Sequence, residues 1–273
     1  GHGVLVLNEN GPVDGAQVPH DADMAHRGAA KVHKFFKNLG YDIQDPQVSN
    51  VRVEIPDSKA KWHPYGMAYF GPQVPQSVDI VGHEFTHGVL RAIQELDLND
   101  PGPAFGEPGA VNEGFADYFG AVIEGKDNWT IGENLPDGPL RDMGNPHSGG
   151  FDPKEPPWKP WGNNSGQPDH YTEKVTAYDD ICGYSPWPEN ENDCPHINSG
   201  IFNKATYLAS VGGVHHGVDV KGIGKKKLTR VLYAALFQMD PLSEMSTAAK
   251  VIVTSCTDLV GQFSICLLYT SPS

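Results

Sequence analysis

Val81-Gly82-His83-Glu84-Phe85-Thr86-His87 contains the pattern H-E-x-x-H. On a helix His83 and His87 stand at i and i+4, so their imidazoles leave one face about a turn apart. Two neutral imidazoles at that separation suit tetrahedral zinc. Glu84 lies beside the same face, where it can take a proton from a metal-activated water. The spacing also fits an amphipathic helix with two solvated histidines, so the motif alone leaves both readings open. A catalytic zinc needs a third protein ligand and one open position. Asn112-Glu113-Gly114-Phe115-Ala116-Asp117 lies in a second helical run and sets Glu113 and Asp117 again at i and i+4. One carboxylate can bind the metal while the other accepts the spare N–H of a ligand histidine and fixes its tautomer. Phe115, Phe119 and Val122 mark this helix as buried, and buried carboxylates need partners.

Around these two helices the periodicity predicts an α+β protein. Met24, Ala29, Val32, Phe35 and Phe36 recur at helical spacing over residues 21–39, and Gly40 ends the run. Val51-Arg52-Val53-Glu54-Ile55 alternates with period two and reads as a strand. Helices are predicted over 78–98, 110–125, 197–211, 223–238 and 245–260. Residues 144–195 form a long Pro/Gly/Trp-rich stretch with weak periodicity, which a compact domain tolerates for a functional reason. Strand signals sit early and helices dominate from Val78 onward, giving a mainly helical second lobe.

Composition narrows the function classes. Twenty basic against 34 acidic residues leave a net charge of −14 over 273 residues, which argues against nucleic acid and anionic membranes as partners. No stretch approaches the run of about 18 apolar residues that a membrane span needs. Four cysteines do not make a disulfide scaffold. The chain opens at Gly1 without a basic and apolar leader, so any targeting segment is expected outside it.

The two helix motifs together resemble the thermolysin-like neutral metallopeptidases, the M4 group of gluzincins. The strongest further matches are His196-Ile197-Asn198-Ser199-Gly200-Ile201, Asn203-Lys204-Ala205 and Gly222-Ile223-Gly224. Leu140-Arg141-x-Met143 and Pro168-Asp169-His170-Tyr171 also match. The resemblance implies a two-lobed zincin, with a β-containing N-terminal lobe, a mainly helical C-terminal lobe and the active-site cleft between them. Residues 1–77 would be a remnant of the first lobe and 78–263 the second. Residues 264–273 read as a non-native tail. It further implies zinc held by His83, His87 and Glu113, Glu84 as general base and acid, and Asp117 as the orienter of a ligand histidine. His196 would donate to the oxyanion and Arg141 would hold a substrate carbonyl. Ile80, Ile131, Leu135 and Leu140 fall where an apolar pocket accepts the residue after the cut, and Ala68 falls on a substrate-binding strand.

The chain also departs from the family. Residues 88–112 contain no tyrosine, although the family places an oxyanion donor there. Met67 stands where an asparagine binds the substrate backbone. Glu191, or alternatively Asp193, would support His196.

Asp79, Glu124, Asn128 and Glu133 match calcium positions, and carboxylates with an amide oxygen are what a hard cation needs. Asn128 and Thr130 replace acidic ligands, so one calcium is expected rather than two. Cys182 and Cys194 would close a loop before His196 as a disulfide in a secreted protein. His170 and the pair His215-His216, in a Gly-rich turn, read as structural. The implied function is a secreted, monomeric zinc endopeptidase that acts on proteins or peptides, favours apolar residues after the cut and has its own propeptide as a partner. Two rivals stand beside it: a zinc-binding but catalytically impaired homologue serving as a binding module, and a metal-dependent aminopeptidase.

Overall fold

The computed structural model describes residues 7–8, 11–12, 18–43, 50–53, 60–63, 66–96, 106–136, 138–149, 166–175 and 194–263. Six helices carry the fold: α1 (His20–Leu39), α2 (Val78–Ile93), α3 (Gly106–Glu124), α4 (Pro195–Val211), α5 (Lys225–Leu236) and α6 (Met245–Phe263). Strands β1 (Leu7–Asn8) and β2 (Gly11–Pro12) pair as a short ribbon. Strands β3 (Asn50–Arg52), β4 (Ala60–His63) and β5 (Met67–Phe70) form a mixed sheet in the order β3-β5-β4. Two further ribbons are β6 (Thr130–Ile131) with β7 (Arg141–Asp142), and β8 (Gly213–His215) with β9 (Val218–Val220). The α+β expectation holds, and all six predicted helices are present.

Local chemistry explains the boundaries. Asp21 and Asp23 lie in the first turn of α1, where carboxylates complement the helix dipole. Gly40 ends that helix at φ 102°, and the Tyr41 amide reaches back to the Phe36 carbonyl at 2.9 Å, the backbone reversal that favours glycine. Ala25, Val32 and Phe36 bury one stripe of α1 against α2. Pro195 occupies the first helical position of α4, where its missing N–H is no loss.

The two motif helices, α2 and α3, pack most extensively against each other, with α4 on the far side of α3. Their backbones nearly touch at a pair of glycines. A Cβ on Gly82 would lie 3.0 Å from the Gly120 Cα, and one on Gly120 would collide with the Asp79 carbonyl. This close crossing brings His83 against the face of α3 that carries Glu113 and Asp117. Phe36, Phe70, Phe85, Phe115, Tyr118 and Phe119 fill the core around it.

The sheet places one expected site residue on its middle strand. β5 is the central strand, with Ala68 opposite Val51 of parallel β3 and opposite Trp62 of antiparallel β4. Ala68 is fully buried, and neighbouring strands cover both of its edges. Residues 54–55 of the predicted strand, and residues 264–273, lie outside the described residues.

Candidate metal centre

His83 and His87 leave one face of α2, as their spacing predicts, and Glu113 meets them from α3. Nε2 of His83 and Nε2 of His87 are 3.1 Å apart. Glu113 Oε2 lies 3.2 Å from His83 Nε2, and Glu113 Oε1 lies 3.5 Å from His87 Nε2. Donor atoms bonded to one tetrahedral zinc at about 2.0–2.1 Å stand about 3.4 Å from one another. Glu113 Oε2 is buried and, among the described residues, meets no donor at hydrogen-bond geometry, despite its closeness to His83. Two imidazoles and a carboxylate oxygen lacking a donor fit a zinc ion, and these three groups come within reach of one another among the described residues.

Both histidines are oriented from behind. His83 Nδ1 is 2.8 Å from Asp117 Oδ1, and His87 Nδ1 is 2.6 Å from Asn112 Oδ1. Such contacts fix which ring nitrogen faces the metal. Asp117 is fully buried and its two oxygens are saturated. Arg141 grips it with Nε (2.8 Å) and Nη2 (2.6 Å), and Asn203 Nδ2 donates to Oδ2 at 2.8 Å. Burial pushes Asp117 up, but Arg141 and His83 outweigh it and hold the carboxyl at about 2.

The ligands divide electrostatically. Burial lowers His83, yet its contacts to Asp117 and Glu113 prevail and push it up to about 10. Burial takes His87 down to about 4, aided by the neighbouring His83 and His196. Burial raises Glu113, but His196, His87 and His83 together hold it well below the usual carboxylate range. A cation here would displace the proton that His83 shares with the carboxylates. Glu84 is buried beside the ligands, and burial, reinforced by Glu113, pushes it up to about 7 against the pull of His83, Arg141 and the Trp62 amide.

His196 heads α4 with its side chain 54% exposed, and its Nε2 lies 3.5 Å from Glu113 Oε1. It therefore borders the metal centre on the open side. Ile80 and Ile131 are buried, and Leu135 and Leu140 half-buried. Three of them converge over Gly132, where a Cβ would sit 3.0 Å from Leu135, 3.2 Å from Ile80 and 3.2 Å from Leu140. Arg141 gives Asp117 two of its five N–H groups, which leaves the others for a substrate.

The acidic group behind α2 is also present. Carboxylate oxygens of Asp79, Glu124 and Glu133 approach one another closely. Lys126 Nζ stands between two of them, 2.9 Å from Glu124 and 2.7 Å from Glu133. Asn128 donates its Nδ2 to Glu133 at 2.7 Å. Asp79 accepts the Ile80 amide at 2.9 Å and the Gly132 amide, while burial, reinforced by Glu124 and Glu133, pushes it up to about 7.

Sequence reasoning assigned no role to Asn112, Asn203 or Lys126. Asn203 lies seven residues after His196, two turns along the same face of α4, so its spacing was a usable signal. Lys126 between Glu124 and Asn128 was equally visible. Cys194 is disulfide-bonded, as is Cys256. Cys182, the expected partner of Cys194, and Glu191 and Asp193 lie outside the described residues.

Fold and site together define an H-E-x-x-H protein whose third ligand candidate is a glutamate on the next helix. Residues 105–267 match the family described as thermolysin metallopeptidase, alpha-helical domain. Neutral protease B of Bacillus subtilis (strain 168) is 33% identical over 280 residues, covering 96% of this chain and 44% of that protein. Thermolysin of Alicyclobacillus acidocaldarius subsp. acidocaldarius is 33% identical over 261 residues, covering 88% of this chain and 42% of its own length. The chain thus spans less than half the length of these relatives. The precursor of protealysin, a metalloproteinase from Serratia proteamaculans, shares the fold at a TM-score of 0.62 and 21% identity, over 94% of this chain and 79% of that one. The chain belongs to the thermolysin metallopeptidase family.

Proposed function

We propose that this chain forms the catalytic part of a zinc-dependent endopeptidase. The observation that carries the reading is the convergence of His83, His87 and Glu113 donor atoms at 3.1–3.5 Å, with Glu84 buried beside them. Zinc, when bound, supplies a Lewis acid that acidifies water and polarises the scissile carbonyl. Glu84 takes the proton of the attacking water and returns it to the leaving amine. His196 donates to the developing oxyanion from its exposed position at the cleft. Arg141 holds a substrate carbonyl through N–H groups not bound to Asp117, and Asp117 keeps the His83 ring in place. The apolar surface of Ile80, Ile131, Leu135 and Leu140 supports a preference for an apolar residue after the cut.

Chelator-sensitive hydrolysis of casein, measured together with zinc content, tests this reading. One zinc at His83, His87 and Glu113, and cleavage inside the chain, are expected. Zinc without cleavage would instead favour the impaired homologue, which Met67 and the absence of tyrosine from 88–112 support. His196→Phe is expected to lower kcat by about 10²–10³, the scale for losing one oxyanion donor. A change under threefold would remove His196 from the mechanism.

The finer reading includes one calcium at Asp79, Glu124, Asn128 and Glu133, secretion, a monomeric state and maturation from a propeptide-bearing form. The word precursor in the name of the protealysin structure supports the last of these. No helix among the described residues is long and apolar enough to cross a membrane. Lys126 already answers part of the negative charge, so calcium must displace its ammonium and binds weakly. Millimolar calcium, but not magnesium, is expected to raise the thermal midpoint of the zinc-loaded chain. Lys126→Met should lower the calcium concentration needed for that shift, and a midpoint indifferent to calcium in both proteins would dispose of the site.

A further inference from the structure

Away from the zinc helices, three loops bring imidazoles around one carboxylate. His147 comes from the short 3-10 turn Pro146–Gly149, and Asp169 and Glu173 come from the segment leading into the 3-10 turn Tyr171–Glu173. His215 ends β8, and His216 follows in the turn to β9. Asp169 Oδ1 lies 3.5 Å from His215 Nε2, 3.6 Å from His147 Nε2 and 3.7 Å from His216 Nε2. These separations are too long for hydrogen bonds. They are close to the spacing of about 3.4 Å between donors on one tetrahedral ion.

Asp169 Oδ1 is itself buried and accepts no hydrogen bond among the described residues. A buried carboxylate oxygen ringed by three imidazoles but bonded by none is costly. A shared cation satisfies all of them. Donor atoms of Asp169, His215 and His216 lie within 4.8 Å of one another, and those of His147, Asp169 and Glu173 form a second such group with Asp169 in common. The surroundings hold the rings in place. Glu173 Oε2 is 2.9 Å from His147 Nε2 and accepts the Asp169 amide at 3.1 Å. The His216 ring stacks on His170 at 4.2 Å between centroids. Asp169 is 12% exposed and His216 46%, so an ion has a way in from the His216 side.

We propose that Asp169, His215 and His216 form a second transition-metal site, separate from His83, His87 and Glu113, with His147 or a water completing the coordination. Imidazole-rich donors select zinc and its neighbours in the first transition row over calcium and magnesium. His215 Nε2 donates to the Asp169 carbonyl at 3.0 Å and gives up that bond on ligation. The site is structural. Two residues before Asp169, Gln167 Nε2 donates to the His196 carbonyl at 2.5 Å and to Ser199 Oγ at 3.1 Å. An ion fastening Asp169 to the β8–β9 turn therefore steadies the segment that holds the first turn of α4.

The test is metal stoichiometry of this chain, stripped by chelator and re-equilibrated with zinc alone. Two equivalents per chain are expected. Asp169→Asn and His216→Asn should each reduce this to one, with unchanged far-ultraviolet circular dichroism. The double variant His83→Ala/His87→Ala should also retain one. In that double variant, cobalt(II) should give the visible absorption of a four-coordinate nitrogen–oxygen site, and Asp169→Asn should abolish it. A single equivalent that is lost in His83→Ala/His87→Ala and kept in Asp169→Asn, or a cobalt spectrum indifferent to Asp169→Asn and His216→Asn, would overturn the proposal. His216 is half-exposed, so its variant keeps the test decisive if Asp169→Asn fails to fold. Loss of the catalytic zinc alone would leave the cobalt result intact, so the two sites are judged independently.

Discussion

Glu84→Gln is expected to retain a full equivalent of zinc at His83, His87 and Glu113 while hydrolysing casein about 10³–10⁴-fold more slowly. That range is the upper part of what general acid–base catalysis supplies, and corresponds to about 4–5.5 kcal/mol of transition-state stabilisation. Glutamine keeps the volume of a buried side chain packed beside the ligands and removes only its ability to carry a proton. Glu113→Gln should behave in the opposite way. It replaces an anionic donor that three histidines hold ionised, so zinc content itself should fall, and activity with it. Zinc analysis and casein hydrolysis on both variants separate the roles. A Glu84→Gln protein near the unaltered rate would mean that another base acts, and unchanged zinc in Glu113→Gln would mean that another group ligates.

The largest effect on stability is expected at Asp117. Its oxygens answer His83, Arg141 and Asn203 at 2.6–2.8 Å within the core. Asp117→Ala leaves the Arg141 guanidinium, itself only 13% exposed, without its counter-charge. Breaking a buried pair on one side costs about 3–5 kcal/mol. Freeing His83 Nδ1 should weaken zinc binding by about 10–100-fold.

A second substitution distinguishes these effects. Arg141→Met added to Asp117→Ala removes the stranded charge, so the denaturant midpoint should partly recover while zinc affinity stays low. Recovery of both, or of neither, would show that Asp117 does not link the two functions as argued. The pH dependence has a definite sign. Asp117 is held at about 2, below its ordinary value of 3.8, so its contribution is complete above pH 3.8 and is lost as pH falls through about 2.

Much of this was legible in residue spacing. Helical periodicity located α1 through α6 to within a few residues, because an amphipathic stripe is a local property of the chain. The i, i+4 pairs of His83 with His87 and of Glu113 with Asp117 state which side chains share a face. The apolar positions of α3 state that its carboxylates are buried. Together with the resemblance these spacings single out His83, His87, Glu113 and Glu84, and the structure brings the four side chains together.

Other features depend on how distant segments meet, which no local period encodes. Ala68 reads as a strand residue from its neighbours, but only the pairing of β3 and β4 on either side makes β5 the central strand. Asp117 shares one helix face with Glu113, yet its hold on Arg141 and Asn203 arises from the packing of β7 and α4 against α3. Lys126 meets Glu124 and Glu133 only because the chain turns its ammonium between them. His215 and His216 look like turn residues because Asp169, 46 residues earlier, comes beside them only when the β8–β9 ribbon folds back on that loop. Sequence by itself determined the faces, since the repeat of a helix is set by its own backbone. Tertiary structure decided the partners, since charges and ligands from separate loops meet only after the core has closed around the Gly82–Gly120 crossing.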